Sequence, residues 1–184
     1  MKRTWLLTIA GLAVFTLFAW GAPFLISTVS AQSTQLTDEQ RTRIVSNCTT
    51  IKNSLNQLRA SDALLRVNRG QAYESLSNRL MDTFNTRLSS NGLDAKGMIS
   101  VTSTYDATLT AFRTAYQSYE RQLVAAIRID CTKDPDAFHA AIADARTKRT
   151  AVHDQVVKLH QAIDDYGTVV SDFYGDYRRV AEGV

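Results

Sequence analysis

The chain has 184 residues, with 21 Lys and Arg against 18 Asp and Glu. Setting aside Lys2 and Arg3 at the head of the chain leaves nineteen basic residues to eighteen acidic, and the two signs are interspersed. A nucleic-acid binder needs a concentrated basic face to neutralise several phosphates. The longest basic concentrations are Arg146, Lys148 and Arg149 and the pair Arg178–Arg179, so no nucleic-acid partner is expected.

Met1-Lys2-Arg3 is a short positive head, and no charged residue occurs from Thr4 to Thr37. Trp5 to Ile26 is mostly apolar, interrupted by Gly21 and Pro23, and Val29-Ser30-Ala31 places small residues before Gln32. That is the form of a secretory signal peptide. The apolar run, about 22 residues, is also long enough to span a bilayer as a transmembrane helix through residues 5–26, with Lys2 and Arg3 held inside. Residues 1–31 therefore read as a cleaved signal peptide or an uncleaved signal anchor. Either places residues from 38 onward outside the cytoplasm, secreted or membrane-anchored.

Residues 32–37 form a linker, and about 150 residues beyond the targeting segment make one ordinary domain. With only two Pro, sparse Gly and no strand-and-turn rhythm, that domain reads as all-α. Thr37 and Gln40 make a capping box, and Asp38 and Glu39 suit the positive end of a helix dipole. Ile44, Cys48, Ile51, Leu55, Leu58 and Leu65 recur at helical spacing, with Asp62 where an apolar residue belongs. Tyr73, Leu76, Leu80, Phe84 and Leu88 continue the stripe in a different phase. The shift across Arg66–Gly70 is either a stutter in one long helix or a break. Gly92 suits the position that ends this helix, over about 38–90.

Asp94 is placed to cap a second helix, over about 94–130, with Leu93 packing on Met98. Its stripe is Met98, Val101, Tyr105, Leu109, Phe112, Tyr116, Tyr119, Leu123 and Ile127. Asp134-Pro135 starts a third, over about 135–180. Its stripe is Phe138, Ile142, Ala145, Val152, Val156, Leu159, Ile163, Tyr166, Val170, Phe173 and Tyr177, and Val180 to Val184 is expected to fray. The expected domain, 38–180, is an elongated antiparallel three-helix bundle, coiled-coil-like in its spacing.

Cys48 and Cys131 are the only cysteines. Outside the cytoplasm a disulfide is the natural reading. If the first helix runs unbroken to Asn91-Gly92, Cys48 lies about 43 residues before the turn and Cys131 about 39 after it, and at about 1.5 Å per residue their heights match to about 6 Å. A fold-back at Gly70 gives no such match. The pair thus favours one long first helix.

No catalytic constellation emerges. There is no Gly-x-Ser-x-Gly turn, no phosphate-cradling Gly loop and no Cys-x-x-Cys. His153 and His160 share a helix face near Asp164, a set that is either a metal site or solvated residues flanking the stripe. Asp62 is expected at the stripe's edge, in reach of Arg66 four residues on. Asn47-Cys48-Thr49 matches a glycosylation sequon that overlaps the cysteine pair. The tip of the bundle away from the N-terminus collects Arg87, Lys96, Tyr174, Tyr177, Arg178 and Arg179, a candidate partner-facing surface.

Leu36-Thr37-Asp38-Glu39-Gln40 resembles the LTxxQ motif of small periplasmic stress chaperones, which usually carry a second copy; Leu109–Arg113 lacks the Gln. Arg66–Tyr73, with Phe84-Asn85 and Asp130-Cys131, resembles uncharacterised exported helical-bundle proteins of reduced-genome, surface-living bacteria. That resemblance implies a bacterial cell-surface setting and no activity. The expectation is a non-enzymatic envelope bundle, structural or protein-binding, with no cofactor and another envelope or cell-surface protein as partner. An extracytoplasmic chaperone or stress sensor of the LTxxQ type is the alternative.

Overall fold

The computed structural model describes residues 35–183; the expected targeting segment, residues 1–31, lies outside them. Every regular element among the described residues is helical. α1 (Asp38–Ser46), α2 (Cys48–Ser75), a π-helical segment (Leu76–Met81) and α3 (Asp82–Ser90) follow one another with only Asn47 between helical residues. α4 (Lys96–Arg128) and α5 (Pro135–Glu182) complete the set. No helix among the described residues is long and apolar enough to cross a membrane.

The helix ends follow local chemistry. Thr37 and Gln40 form the reciprocal capping box, Gln40 N–H donating to Thr37 Oγ1 at 3.2 Å and Thr37 N–H to Gln40 Oε1 at 2.8 Å. Asp134 caps α5 by accepting from Ala137 N–H at 2.9 Å, with Pro135 in the first turn. Gly92 takes the left-handed conformation, φ 72°, that closes α3. Three boundaries differ from expectation. Asp94 stays outside α4 and accepts from Lys96 N–H at 3.0 Å, so the helix opens at Lys96. α4 ends at Arg128, where Ile129 turns extended, and the Asp130 carboxylate beyond it accepts from Thr132 N–H at 3.1 Å and Oγ1 at 2.6 Å. α5 runs two residues past 180, to Glu182, and stops at Gly183, φ 68°.

The helix does not break at Gly70. The phase shift is absorbed by the π-helical segment, which holds one residue more than an α turn needs. Tyr73 and Met81 are eight apart, so an unbroken α-helix would set them about 80° apart around its axis. Absorbing one residue brings them to about 20°, and both are buried in the same cluster. Met81 therefore takes the core position expected of Leu80, which is exposed.

Cross-helix contacts show the direction of each helix. Cys48 lies beside Cys131, Asp62 bonds Tyr119, Tyr105 Oη donates to Tyr73 O, and Asn85 Nδ2 donates to Thr102 Oγ1. Numbers rise along one helix as they fall along the other, so α2–α3 and α4 are antiparallel. Arg149 joins Asp62, His160 joins Tyr73 and Tyr166 joins Asn85, which turns α5 back along the direction of α2. The core lies mainly between α4 and α5. Its largest cluster holds Tyr73, Met81, Met98, Tyr105, Phe112 and Leu159. Smaller clusters form around Tyr119 and Leu123 and around the two cysteines with Phe138. α2 buries only Cys48, Asp62 and Tyr73, and Leu65, expected in the stripe, is 49% exposed. Between Asp62 and Tyr73, α2 stands off the α4–α5 pair and leaves a groove.

Candidate functional site

The groove encloses about 570 Å³. α2 lines it with Asp62, Leu65, Arg66 and Arg69, spaced to share one helix face. α4 supplies Phe112, Tyr116 and Tyr119 as a buried floor. α5 supplies Arg146, Arg149, Val152, His153 and Val156 as the opposite wall.

Asp62 is the anchor. It is 9% exposed and accepts three hydrogen bonds: from Tyr119 Oη at 2.7 Å, from Arg149 Nε at 3.1 Å and from Arg149 Nη2 at 3.1 Å. The two from Arg149 form a bidentate, charge-assisted fork, stronger than bonds between neutral groups. Burial pushes the Tyr119 phenol well above its ordinary range, and its bond to Asp62 adds to the shift. The hydrogen bond to Asp62 holds the Arg149 guanidinium charged. The sequence expectation for Asp62 is thereby corrected: it is buried, and its cation is Arg149, not Arg66. Arg66 instead lies over the Tyr116 ring, 5.3 Å from its centroid. Tyr116 meets Tyr119 edge-on at 6.0 Å.

Arg66, Arg69 and Arg146 have no ion-pair partner among the described residues. One carboxylate thus sits among four guanidiniums. Basic residues scattered in the sequence converge here because two helices present them across a gap. What the groove offers chemically is anion recognition beside an apolar floor; its one carboxylate is committed to Tyr119 and Arg149. The missed partners had a signal. Pairing Cys48 with Cys131 fixes the register, and stepping fourteen residues along each antiparallel helix sets Asp62 opposite residue 117, beside Tyr116 and Tyr119.

For His153 and His160 the sequence leaves two readings, a metal site or solvated residues flanking the stripe. His153 lines the groove, and His160 Nε2 lies 3.2 Å from Tyr73 Oη. Among the described residues no group of three or more His, Cys, Asp or Glu is placed to hold a metal. Cys48 and Cys131 stand at disulfide distance, with Cα atoms 5.7 Å apart. Nearby, Arg41 bridges α1 to Asp136 of α5 at 2.8 Å and 3.1 Å, which holds the Asp136 carboxyl below its usual range. The tip residues Arg87, Lys96, Tyr174, Tyr177, Arg178 and Arg179 are all exposed. Arg178 pairs with Glu182, Arg179 with Asp176, and Tyr177 stacks on Phe173 at 6.2 Å, so much of the tip's charge is neutralised within α5.

No family model, no curated protein and no solved structure matches this chain.

Proposed function

We propose that the chain is an exported, non-enzymatic helical module that binds another protein at the outer side of the membrane. The carrying observation is a division of labour among its polar groups. No buried side-chain polar atom among the described residues lacks a hydrogen-bond partner, so the interior polar groups are spent on joining helices. The surplus guanidiniums line an open groove. The tip bearing Tyr174 and Arg87 stays in the reading as a second contact. Export rests on residues 1–31, as signal peptide or anchor, and the cysteine pair suits an oxidising compartment. The resemblance to exported helical-bundle proteins belongs to this reading too.

The test is photo-cross-linking in intact cells with the reactive group at position 65. A single protein adduct, lost when Arg66 and Arg69 become Glu, is the expected result. A chain that stays monomeric and gives no specific adduct would sink the reading. Intact mass with membrane fractionation separates a product beginning at Gln32 from an anchored chain.

The chaperone reading has one observation in its favour: Leu64, Leu65, Val67 and Val157 are exposed on α2 and α5. Suppression of aggregation of a denatured client, unaffected by reversing the groove's arginines, would favour it over a specific partner.

A further inference from the structure

The groove has a chemical preference, and its dimensions narrow the ligand further. Its α2 wall runs from Asp62 to Arg69 and its α5 wall from Arg146 to Val156. At about 1.5 Å per residue these walls are about 10 to 15 Å long. An extended peptide advances about 3.3 Å per residue, so three to five residues fit.

The walls differ from the floor in character. Arg66 and Arg69 stand on one wall and Arg146 and Arg149 on the other, in both cases three residues apart on a helix and so on one face. Of these only Arg149 has a carboxylate partner, Asp62. The floor of Phe112 and Tyr116 is buried, and Val152 and Val156 extend the apolar surface up the α5 side. A flat bilayer would meet the arginines and leave this recessed floor unfilled. A peptide fills both: carboxylates on the guanidiniums, one apolar side chain on the floor.

We infer that the groove between α2 and the α4–α5 pair binds an acidic peptide segment of the partner protein, with carboxylates flanking one large apolar residue. This rests on the interaction-module reading and deepens it.

The test measures anisotropy of a fluorescein-labelled EEFEE pentapeptide added to the full-length chain. Saturable binding that weakens with added salt is expected, with KKFKK unbound and EEAEE weaker by about tenfold. Arg66→Glu with Arg69→Glu should weaken EEFEE at least tenfold, and Arg146→Glu should do so independently from the other wall. Arg69 and Arg146 are exposed without an ion-pair partner and Arg66 has only its contact over the Tyr116 ring, so circular dichroism should stay predominantly helical in each variant. Arg121→Glu, away from the groove, should bind like the parent. Absence of EEFEE binding, or equal binding by parent and groove variants, overturns the inference. So does groove-dependent binding to phosphatidylglycerol vesicles without peptide binding, which would make the ligand a membrane surface. If the peptide fails while the position-65 adduct persists and needs the arginines, only the acidic-peptide inference falls. If the adduct is also absent, the interaction reading falls with it.

Discussion

Asp62 shows how a residue at the wrong phase can be the right one. A carboxylate facing the core costs several kcal/mol unless paired and hydrogen-bonded. Here it receives three donors from two helices. The two side chains are asymmetric in exposure: that of Arg149 is 54% exposed and that of Asp62 only 10%. Removing the arginine therefore harms more than neutralising the acid. Arg149→Ala strands a buried carboxylate with one donor, and a loss of about 2 kcal/mol is expected, below the fully buried range because the open groove admits water. Asp62→Asn keeps an acceptor for Tyr119 and should lose about 1 kcal/mol. Urea unfolding of both variants checks the order; equal losses would mean that the groove is already wet at Asp62. Tyr105 gives a pH signature. Burial, then the neighbouring Tyr73 and Asp106, push its phenol up to about 12. An unfolded tyrosine releases its proton near pH 10, so between about pH 10 and 12 the folded state holds a proton that the unfolded chain has lost. This stabilisation is whole below pH 10 and disappears as pH rises through 12. The thermal midpoint should fall across that window, and Tyr105→Phe should flatten the fall. Tyrosinate absorbance that rises wholly near pH 10 in the folded protein would contradict it.

At the scale of elements, capping chemistry and stripe spacing made most helix ends legible, because both act within one turn. Thr37 with Gln40, Asp134-Pro135 and Gly92 all stand where their local signals put them. The phase shift near Gly70 was legible as a problem but not in its solution. A π turn loses little when flanking segments both bury their stripes, and that gain is tertiary. The same tertiary term exchanged Leu80 for Met81 in the core. Deleting exposed Asn78 should let the segment revert to α-helix with both flanks in phase. A thermal midpoint within a few degrees of the parent is expected, whereas deleting Ala63 should unseat Asp62 from Arg149 and lower it much further. If both deletions were equally damaging, the π segment would not be absorbing the shift. Gly97 sits tightly against α5, for a Cβ there would stand 3.0 Å from Val169 Cγ1. Gly97→Ala sets a gain in helix propensity of about 1 kcal/mol against that squeeze and should be near neutral. Gly97→Leu should lose about 1–3 kcal/mol by overpacking, and Val169→Ala should restore part of it.

For the helical unit as a whole, the all-α class and the hairpin register were legible because two cysteines at matched heights tie distant residues together. The groove was not, because it arises from what α2 fails to bury, and spacing alone assigned Leu65 to a core it does not reach. Charge interspersed in sequence likewise hid four arginines that converge only across helices. The cysteine pair also makes the stability of this unit depend on its compartment. It ties the start of α2 to the turn before α5, at the end holding the smallest buried set, while the largest cluster lies at the other end. In the chain-entropy model a bond across a separation of 83 residues contributes about 4–5 kcal/mol. For a unit of this size that corresponds to a thermal midpoint lower by about 10 °C or more after reduction. The loss should also be uneven. Amide exchange should accelerate first in α1 and the first turns of α2, where Arg41–Asp136 is the remaining cross-link, and last around Tyr105 and Leu159. Cys48→Ala with Cys131→Ala should reproduce the pattern without reductant. An unchanged midpoint in both cases would show that α1 and the start of α2 are held without the cysteine pair, and the chain would then have no structural need of an oxidising compartment.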